Sequence, residues 1–564
     1  MLQMVQTYLN ELKPKVSPGK SIEQVGQLEL ELKFGKKKGY SISKAQYCQV
    51  VKTLLNEGWT RQSETEYIHL SEPLSGVRAR IEGEDNLKEL IQFTRKVHEL
   101  PATFEKKTRL SIVDLRDKFN LTTTLSREMK QMKFDYASAN HGRYISRWSL
   151  IHPTKPYLQA DFSMIRECPL VGDWIHDLFS TERKFTYEIE IEIQNDAITA
   201  STTVEEVMTS LNGVVELVIG GLQSSGTPEL YDMLDEAKRH LTTLTKTPKF
   251  IGFDSDSLSE MNGDLLRNAK ADYVVTDKAD GERKLLYIDV LGRLYYFNKM
   301  RQLQPTGWLV PANCGLANTL LDGEYLLEEQ GWWHSHHYAA FDIYYLGGED
   351  VRGYPLLTRT TSEAGIKYDE CRYTMVQFVV AKLSQMVNPK AFSVKKFHPV
   401  QSAKKILRQI NVEQQNELGY HIDGLIFMPA FLPLPKLEMK EVPRVWHASL
   451  KWKDNLHSTA DFQIHLLNDA TNANGANGAM AELYMQEEGK RILFTTTVLP
   501  LDMRTLGDRK YFTHGSIVEF MYKEADQQWH PFRLREDKDS PNTVKNVKSV
   551  QEAIQHPFML ETLE

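Results

Sequence analysis

Strict alternation of apolar and charged residues marks two segments in the N-terminal half of the chain. Gln27-Leu-Glu-Leu-Glu-Leu-Lys-Phe34 sets Glu29, Glu31 and Lys33 on one face and Leu28, Leu30, Leu32 and Phe34 on the other. Tyr187-Glu-Ile-Glu-Ile-Glu-Ile193 sets Glu188, Glu190 and Glu192 opposite Ile189, Ile191 and Ile193. A period of two predicts β-strands, each with an apolar and a charged face. Glutamates that share a face repel, and a divalent cation held by oxygen ligands is the natural compensation. Cationic strands are predicted between them: Ser75–Ile81 with Arg78 and Arg80 on one face, Leu121–Glu128 with Arg127, Arg143–Trp148 with Arg147, and Tyr157–Arg166 with Asp161. Polar residues of both signs facing one way from many antiparallel strands predict a closed barrel with a hydrophilic lumen. Which arginines face that lumen depends on register, because a slip of one residue inverts every side chain.

In the second half the pattern is strand, charged turn, strand. Val274-Val-Thr-Asp-Lys-Ala-Asp-Gly-Glu-Arg283 delivers Lys278 from a β-branched run onto a turn carrying Asp280 and Arg283. A lysine attacks phosphorus only when it is deprotonated, held in line and surrounded by cations that absorb charge. By itself the segment also reads as a charged hairpin, since Asp-Gly is a common turn dipeptide between strands. Asn318–Leu327 carries Asp322-Gly323-Glu324 as a second acidic turn, and His337–Tyr345 reads as a buried strand bearing Phe341 and Asp342. Gly419–Phe427 contains Asp423-Gly424. In Ala448–Asp454, Lys451 and Lys453 are two apart on a strand and point the same way, which an anion between them would favour. Trp529–Lys538 offers Arg533, Arg535, Asp537 and Lys538. Pro228–Leu241 has Leu and Met at helical spacing, a connector that packs, and 469–478 lacks any packing pattern.

Composition adds bounds. The chain has 564 residues, too many for one core, so about three domains are expected. Hydrophobic content of 41% and charged content of 25% describe an ordinary globular protein. No apolar run is long enough to span a bilayer, and the start lacks the basic and apolar blocks of a signal peptide, so no membrane and a cytoplasmic location are expected. Cys48, Cys168, Cys314 and Cys371 show neither metal-pair nor disulfide spacing. A formal charge of −7 argues against bulk capture of nucleic acid and for local grooves lined by lysine and arginine.

The ordered set Lys278-Ala-Asp-Gly-Glu-Arg283, Asp322-Gly-Glu324, Phe341-Asp342, Asp423-Gly-Leu425, Lys451-Trp-Lys453 and Arg533-Leu-Arg-Glu-Asp-Lys538 resembles the motifs of the covalent nucleotidyltransferases, the messenger RNA guanylyltransferases and ATP-dependent polynucleotide ligases. The resemblance covers the chain from about Lys246 onward. It implies that Lys278 becomes a lysyl-GMP and that Asp280 lies at the nucleotide. Arg283 and Glu324 would hold the ribose, Phe341 would stack on the base, Asp423 would serve a metal, and Lys451 and Lys453 would contact the α-phosphate. Arg535, Asp537 and Lys538 would orient the leaving pyrophosphate, and the clustered cations would lower the pKa of Lys278. The N-terminal strands resemble the triphosphate tunnel metalloenzymes, the metal-dependent RNA 5′-triphosphatases of fungi, protozoa and large DNA viruses. That resemblance implies Glu29, Glu31, Glu190 and Glu192, with Glu188, as ligands of Mg²⁺ or Mn²⁺; Lys33, Arg78, Arg80, Arg127 and Arg147 as the triphosphate grip; Asp161 behind them; and Glu188 or Glu192 orienting the attacking water.

Together the resemblances imply a bifunctional capping enzyme of large-DNA-virus type. The expected fold class is α+β and multidomain: an antiparallel β-barrel tunnel at 1–226, a helical connector at 227–243, an ATP-grasp-like α+β nucleotidyltransferase domain at 244–454, and a C-terminal OB-fold β-barrel lid at 455–564. Substrates are 5′-triphosphate RNA and GTP, and a virion or host cytoplasm is the setting if the source is viral. Little chain follows Lys538, so cap methylation is expected from a separate protein or a portion outside this chain, and RNA polymerase is a further candidate partner. The rival readings are an ATP-dependent ligase with an accessory triphosphatase domain and a catalytically dead scaffold that binds RNA ends.

Overall fold

The computed structural model describes residues 1–12, 27–91, 96–172, 174–179, 185–330, 333–358, 371–407, 422–435, 445–453, 459–467, 478–500, 515–523, 527–535, 538 and 540–563. They form two compact units, Met1–Asp232 and Met233–Glu564. Among the described residues no helix is long and apolar enough to cross a membrane.

In the first unit, period-two alternation is realised in eight antiparallel strands: β1 (Gln27–Phe34), β2 (Thr60–Ser71), β3 (Val77–Glu82), β4 (Thr103–Leu115), β5 (Leu121–Gln131), β6 (His141–Ile151), β7 (Leu158–Pro169) and β8 (Thr186–Ile193). Their order is β1-β5-β4-β3-β2-β6-β7-β8, and β8 returns to β1 to close a barrel, with Glu31 opposite Glu192 and Lys33 opposite Glu190. The helices are α1 (Leu2–Leu12), α2 (Lys44–Asn56), α3 (Glu84–Ile91), α4 (Arg116–Phe119), α5 (Trp174–Phe179) and α6 (Val204–Gln223). Ser43 caps α2 in a reciprocal box with Gln46, and Thr203 caps α6 through the Glu206 N–H.

The barrel carries its apolar core on the outside. Leu28, Leu30, Leu32, Phe34, Ile189, Ile191 and Ile193 are all buried, with α1 against β1 and α2 against β8. Burying each contributes about 1.5–3 kcal/mol, so a slip that turned them into the lumen is strongly disfavoured.

This register corrects one expectation. Arg127 pairs across the ladder with Leu28, not with a glutamate, and therefore lies on the outer face. Its Nη2 meets Glu11 of α1 at 2.9 Å. The inward residues of β5 are Thr122, Thr124, Ser126 and Glu128 on the face of Lys33, Glu31 and Glu29. Hydroxyl residues flank both faces of this strand, so alternation did not reveal its parity.

The second unit begins with α7 (Tyr231–Thr245), the helix expected over 228–241, which starts at the end of the first unit. It continues through β9 (Asp254–Ser257), α8 (Asp264–Asn268), β10 (Tyr273–Ala279), β11 (Glu282–Ile288), β12 (Arg293–Phe297), β13 (Leu303–Leu309), β14 (Thr319–Gln330), β15 (Trp333–Leu346), β16 (Glu349–Asp350), α9 (Arg372–Met386), β17 (Phe392–Val394), β18 (His398–Pro399), β19 (Ile422–Pro429) and β20 (Val445–Trp452). One sheet runs β18-β10-β19-β20-β9; the other runs β13-β12-β11-β14-β15-β16, with β17 beside β15. Met375, Val376, Val379 and Leu383 of α9 pack on Leu286, Leu321, Tyr338 and Ile343 of the second sheet.

Two turn readings change here. Asp280-Gly281 does not close a hairpin, because β10 and β11 lie in different sheets and the turn carries the chain between them. Asp322-Gly323-Glu324 is not a turn either: it sits inside β14, paired with β11 and β15. The apolar run simply continues through it.

A third sheet is formed by β21 (Thr459–Leu466), β22 (Gly478–Glu487), β23 (Lys490–Pro500), β24 (Ile517–Lys523) and β25 (Gln528–Leu534), in the order β23-β22-β21-β24-β25. It curls enough for Thr497 of β23 to donate to the Trp529 carbonyl of β25. Its concave face holds Phe462, Phe520 and Trp529, and α10 (Val544–Gln555) packs there through Val547 and Ile554. Of the segment 469–478, read as a loop, residues 469–477 lie outside the described residues and Gly478 begins β22.

Candidate active sites

Lys278 is the penultimate residue of β10, and the ladder with β19 breaks at that point. Asp277 pairs with Leu425 and Ala279 with Ile422, so the single residue Lys278 faces the pair Asp423-Gly424. Gly424 has φ +151°, and a Cβ there would run into the Trp452 carbonyl oxygen. The Asp-Gly dipeptide is therefore set by backbone crowding against β20.

Asp423 stands between two lysines, with Oδ1 2.5 Å from Lys278 Nζ and Oδ2 2.6 Å from Lys453 Nζ. Burial works to raise the Asp423 pKa, but the two lysines outweigh it and hold the carboxylate below its usual range. Lys278 lies below the usual lysine value, first through burial and then through Lys453, with Asp423 pulling the other way. Lys451 is lowered as well, again chiefly by burial, with Lys278 and Lys453 adding to it. A partly desolvated amine beside two other cations is what nucleophilic attack on phosphorus requires.

Arg283 is pinned by Asp322 in a two-point ion pair, Nε to Oδ1 at 3.0 Å and Nη2 to Oδ2 at 2.5 Å. Tyr344 donates to the same carboxylate, and the guanidinium lies 5.4 Å from the Phe341 ring centre. Phe341 is half-buried and faces the cavity, with Asp280 at the exposed rim. Burial pushes Glu324 up to about 7, against the pull of Lys395, Arg283 and Lys278. Asp342 is different: it is fully enclosed and paired at 2.7 Å with Arg372, the first residue of α9. It anchors that helix.

The third sheet supplies the opposite wall. Arg535 reaches Asp461 at 3.0 Å, Lys538 pairs with the same carboxylate, and Arg533 pairs with Glu519 at 2.5 Å. Lys278, Glu324, Phe341, Lys451, Arg535 and Lys538 all line one cavity of about 1260 Å³. Asp537 lies outside the described residues. Sequence reasoning missed Asp461, a lone carboxylate on an apolar strand. It also missed Lys395, whose Nζ donates to the Asp277 carbonyl at 2.7 Å; nothing in their local pattern set them apart.

The barrel lumen gathers the other set. Lys33 sits 2.6 Å from Glu190 and 3.8 Å from Glu31. Arg147 joins Asp161 at 3.0 Å to Glu190 at 2.7 Å, and Asp161 also accepts from Ser149 and Gln159. Arg78 and Arg80 share the inward face, Arg80 over the Tyr67 ring at 3.9 Å. Cations that sequence reasoning did not single out complete the lining. Lys107 bridges Glu29 and Glu31, and Lys36 and Arg143 flank Glu188 at 3.0 and 3.5 Å. Lys107 sits in a long charged strand with no clean alternation, and Lys36 lies beyond the end of its strand.

Burial, then the charges of Glu29 and Asp161, push Glu192 up to about 8. Burial also raises Glu31, against Lys33, whereas Glu190 is held far down by Lys33 and Arg147 despite its burial. Among the described residues no three acidic, histidine or cysteine side chains are arranged as a ready metal cage. Lysines and arginines stand between the carboxylates. An all-carboxylate donor set of this kind suits a hard divalent cation.

Residues 218–454 match the mRNA capping enzyme catalytic domain and residues 437–563 the mRNA capping enzyme C-terminal domain. The mRNA-capping enzyme of Danio rerio is 26% identical over 299 residues, 52% of this chain and 45% of that protein. This chain thus spans about half the length of that curated relative. Among solved structures, the RNA triphosphatase domain of a trifunctional mimivirus mRNA capping enzyme aligns with TM-score 0.28 at 15% identity, over 38% of this chain and 94% of the other. An S. pombe RNA triphosphatase aligns with TM-score 0.26 at 13% identity, over 38% and 91%.

Proposed function

The chain belongs, through residues 218–563, to the mRNA capping enzyme family, and on that premise we propose that it caps RNA in two stages. In the barrel, residues 1–226, water attacks the γ-phosphorus of a 5′-triphosphate RNA. The bond to the β–γ bridging oxygen breaks, inorganic phosphate leaves, and a diphosphate end remains. Lys33, Lys107, Arg78, Arg80 and Arg147 hold the phosphates, and Glu192 or Glu188 orients the water. Glu29, Glu31, Glu190 and Glu192 would hold Mg²⁺ or Mn²⁺, which when bound neutralises charge developing on the γ-phosphate.

In the second stage Lys278 Nζ attacks the α-phosphorus of GTP, a P–N bond forms, and pyrophosphate leaves. A terminal oxygen of the diphosphate RNA then attacks the same phosphorus, the P–N bond breaks, and the amine is restored. Lys451 and Lys453 steady the α-phosphate, Arg283 and Glu324 the ribose, and Phe341 the base. Asp423 would ligate a metal once its lysines turn to phosphate. Residues 455–564 act as an OB-type lid that brings Arg535 and Lys538 to the pyrophosphate. We place the reaction in a cytoplasmic, virus-type setting.

The observation that carries this reading is Lys278, desolvated and flanked by Lys451 and Lys453 in the cavity. Incubation with α-labelled GTP or ATP and metal, without RNA, followed by denaturing electrophoresis, tests it. Label from GTP, lost in Lys278→Ala, is expected; label preferentially from ATP would indicate a ligase instead. Glu29→Ala should stop γ-phosphate release while leaving the labelling intact, and equal loss of both would contradict two separate sites.

A further inference from the structure

The β24–β25 ladder is irregular at one point. Glu519 pairs with Arg533 and Phe520 with Pro531, which leaves Phe532 as the unpaired residue of a β-bulge. Bulges re-aim side chains, and this one turns a phenylalanine away from the aromatic core of its own sheet. Phe532 is 55% exposed, yet it lines the same cavity as Lys278. Arg533, whose side chain is half exposed, lies 6.0 Å from the ring centre, and exposed Lys545 of α10 lines the same cavity.

A cavity of 1260 Å³ exceeds the roughly 300–1,000 Å³ of small-ligand sites. One nucleotide, held by Phe341 and the lysines, leaves part of it over. An exposed ring beside an arginine, with a further lysine in the same cavity, fits a single-stranded nucleic acid, whose bases stack on aromatics while lysine and arginine follow the phosphates.

We infer that Phe532, with Arg533 and Lys545, is the seat of the RNA acceptor: the ring stacks on a base near the diphosphate end, presenting that end to the lysyl-GMP. This inference rests on the capping reading and assigns its second substrate a place. It also separates Phe532 from Arg535 and Lys538, which serve the departing pyrophosphate.

The test uses the full chain and separates the two half-reactions. Lysyl-GMP formation from labelled GTP is measured without RNA, and the loaded enzyme is then given either a short diphosphate-ended RNA or inorganic pyrophosphate. Phe532→Ala should form lysyl-GMP and return GMP to pyrophosphate as the parent does. It should bind the RNA acceptor about tenfold more weakly in single-turnover transfer, the loss of one base-stacking contact. Phe532→Trp should restore transfer, and Lys545→Ala should weaken the salt dependence of the RNA step alone. Unchanged RNA transfer in Phe532→Ala would overturn the inference. Slowing of lysyl-GMP formation to the same extent as RNA transfer would also overturn it, identifying the ring as a lid-closure contact. If the parent chain takes no label from GTP, it is the capping reading itself that fails.

Discussion

Lys278 Nζ lies 2.5 Å from Asp423 Oδ1, so the amine proposed to attack phosphorus is held by a carboxylate. The contact favours the protonated amine, against burial and Lys453, which favour the free base. Asp423→Asn removes the contribution that raises the Lys278 pKa. The acid limb of the pH–rate profile for lysyl-GMP formation should therefore move to lower pH, while the plateau falls. An acid limb that stays in place would show that Asp423 does not govern this proton.

Glu324 titrates near neutrality because it is buried, and its ionised form is the better acceptor for ribose hydroxyls. Lysyl-GMP formation should rise as pH passes about 7. Glu324→Gln should lose that inflection and raise KM for GTP. The same inflection surviving in the variant would assign it to another group.

Arg147 and Arg127 test which face of the barrel wall is which. Removing Arg147 leaves Asp161 and Glu190 buried without their shared partner, at about 3–5 kcal/mol for a broken buried pair. Arg127 pairs with Glu11 at the partly exposed outer surface, where an ion pair contributes about 0–1 kcal/mol. Denaturant unfolding of Arg147→Ala and Arg127→Ala should show this contrast, and Arg127→Ala should keep γ-phosphate release. Loss of phosphate release in Arg127→Ala with stability intact would put that guanidinium in the lumen after all.

Gly424→Ala places a methyl group against the Trp452 carbonyl at a φ that L-residues rarely adopt. The strand end must shift, moving Asp423 and Lys453 off Lys278, at a stability cost of about 1–3 kcal/mol. Lysyl-GMP formation should drop further than global unfolding accounts for. Full activity with a lowered Tm would show that the site tolerates the shift.

Much of this was legible because β-structure with one charged face writes its parity directly into the sequence. The glutamates of β1 and β8 are clear for that reason, and Lys278, Asp423, Lys451 and Lys453 stand out because short charged motifs interrupt apolar strands. What stayed hidden depends on long-range pairing. Arg127 was misassigned because Thr122, Thr124 and Ser126 give no contrast between faces. Lys107 meets Glu29 and Glu31 only once β1, β5 and β4 lie side by side, and Asp461 gains its meaning from Arg535 and Lys538, more than seventy residues on. Asp280-Gly281 looked like a hairpin because local turn chemistry does not say whether its flanking strands will pair with each other.

The barrel wall has, in effect, a reading frame of two. In β1 the odd-numbered residues face the lumen and the even-numbered ones hold the coat of helices; in β8 the roles are reversed. Exchanging a lumen residue leaves the apolar contacts of the outer face in place, so its cost is set by the charges it leaves unpaired inside, as Arg147 between Asp161 and Glu190 illustrates. A single inserted or deleted residue, by contrast, exchanges the two roles from that point onward. Only changes in length by pairs would leave both the fold and its interior readable.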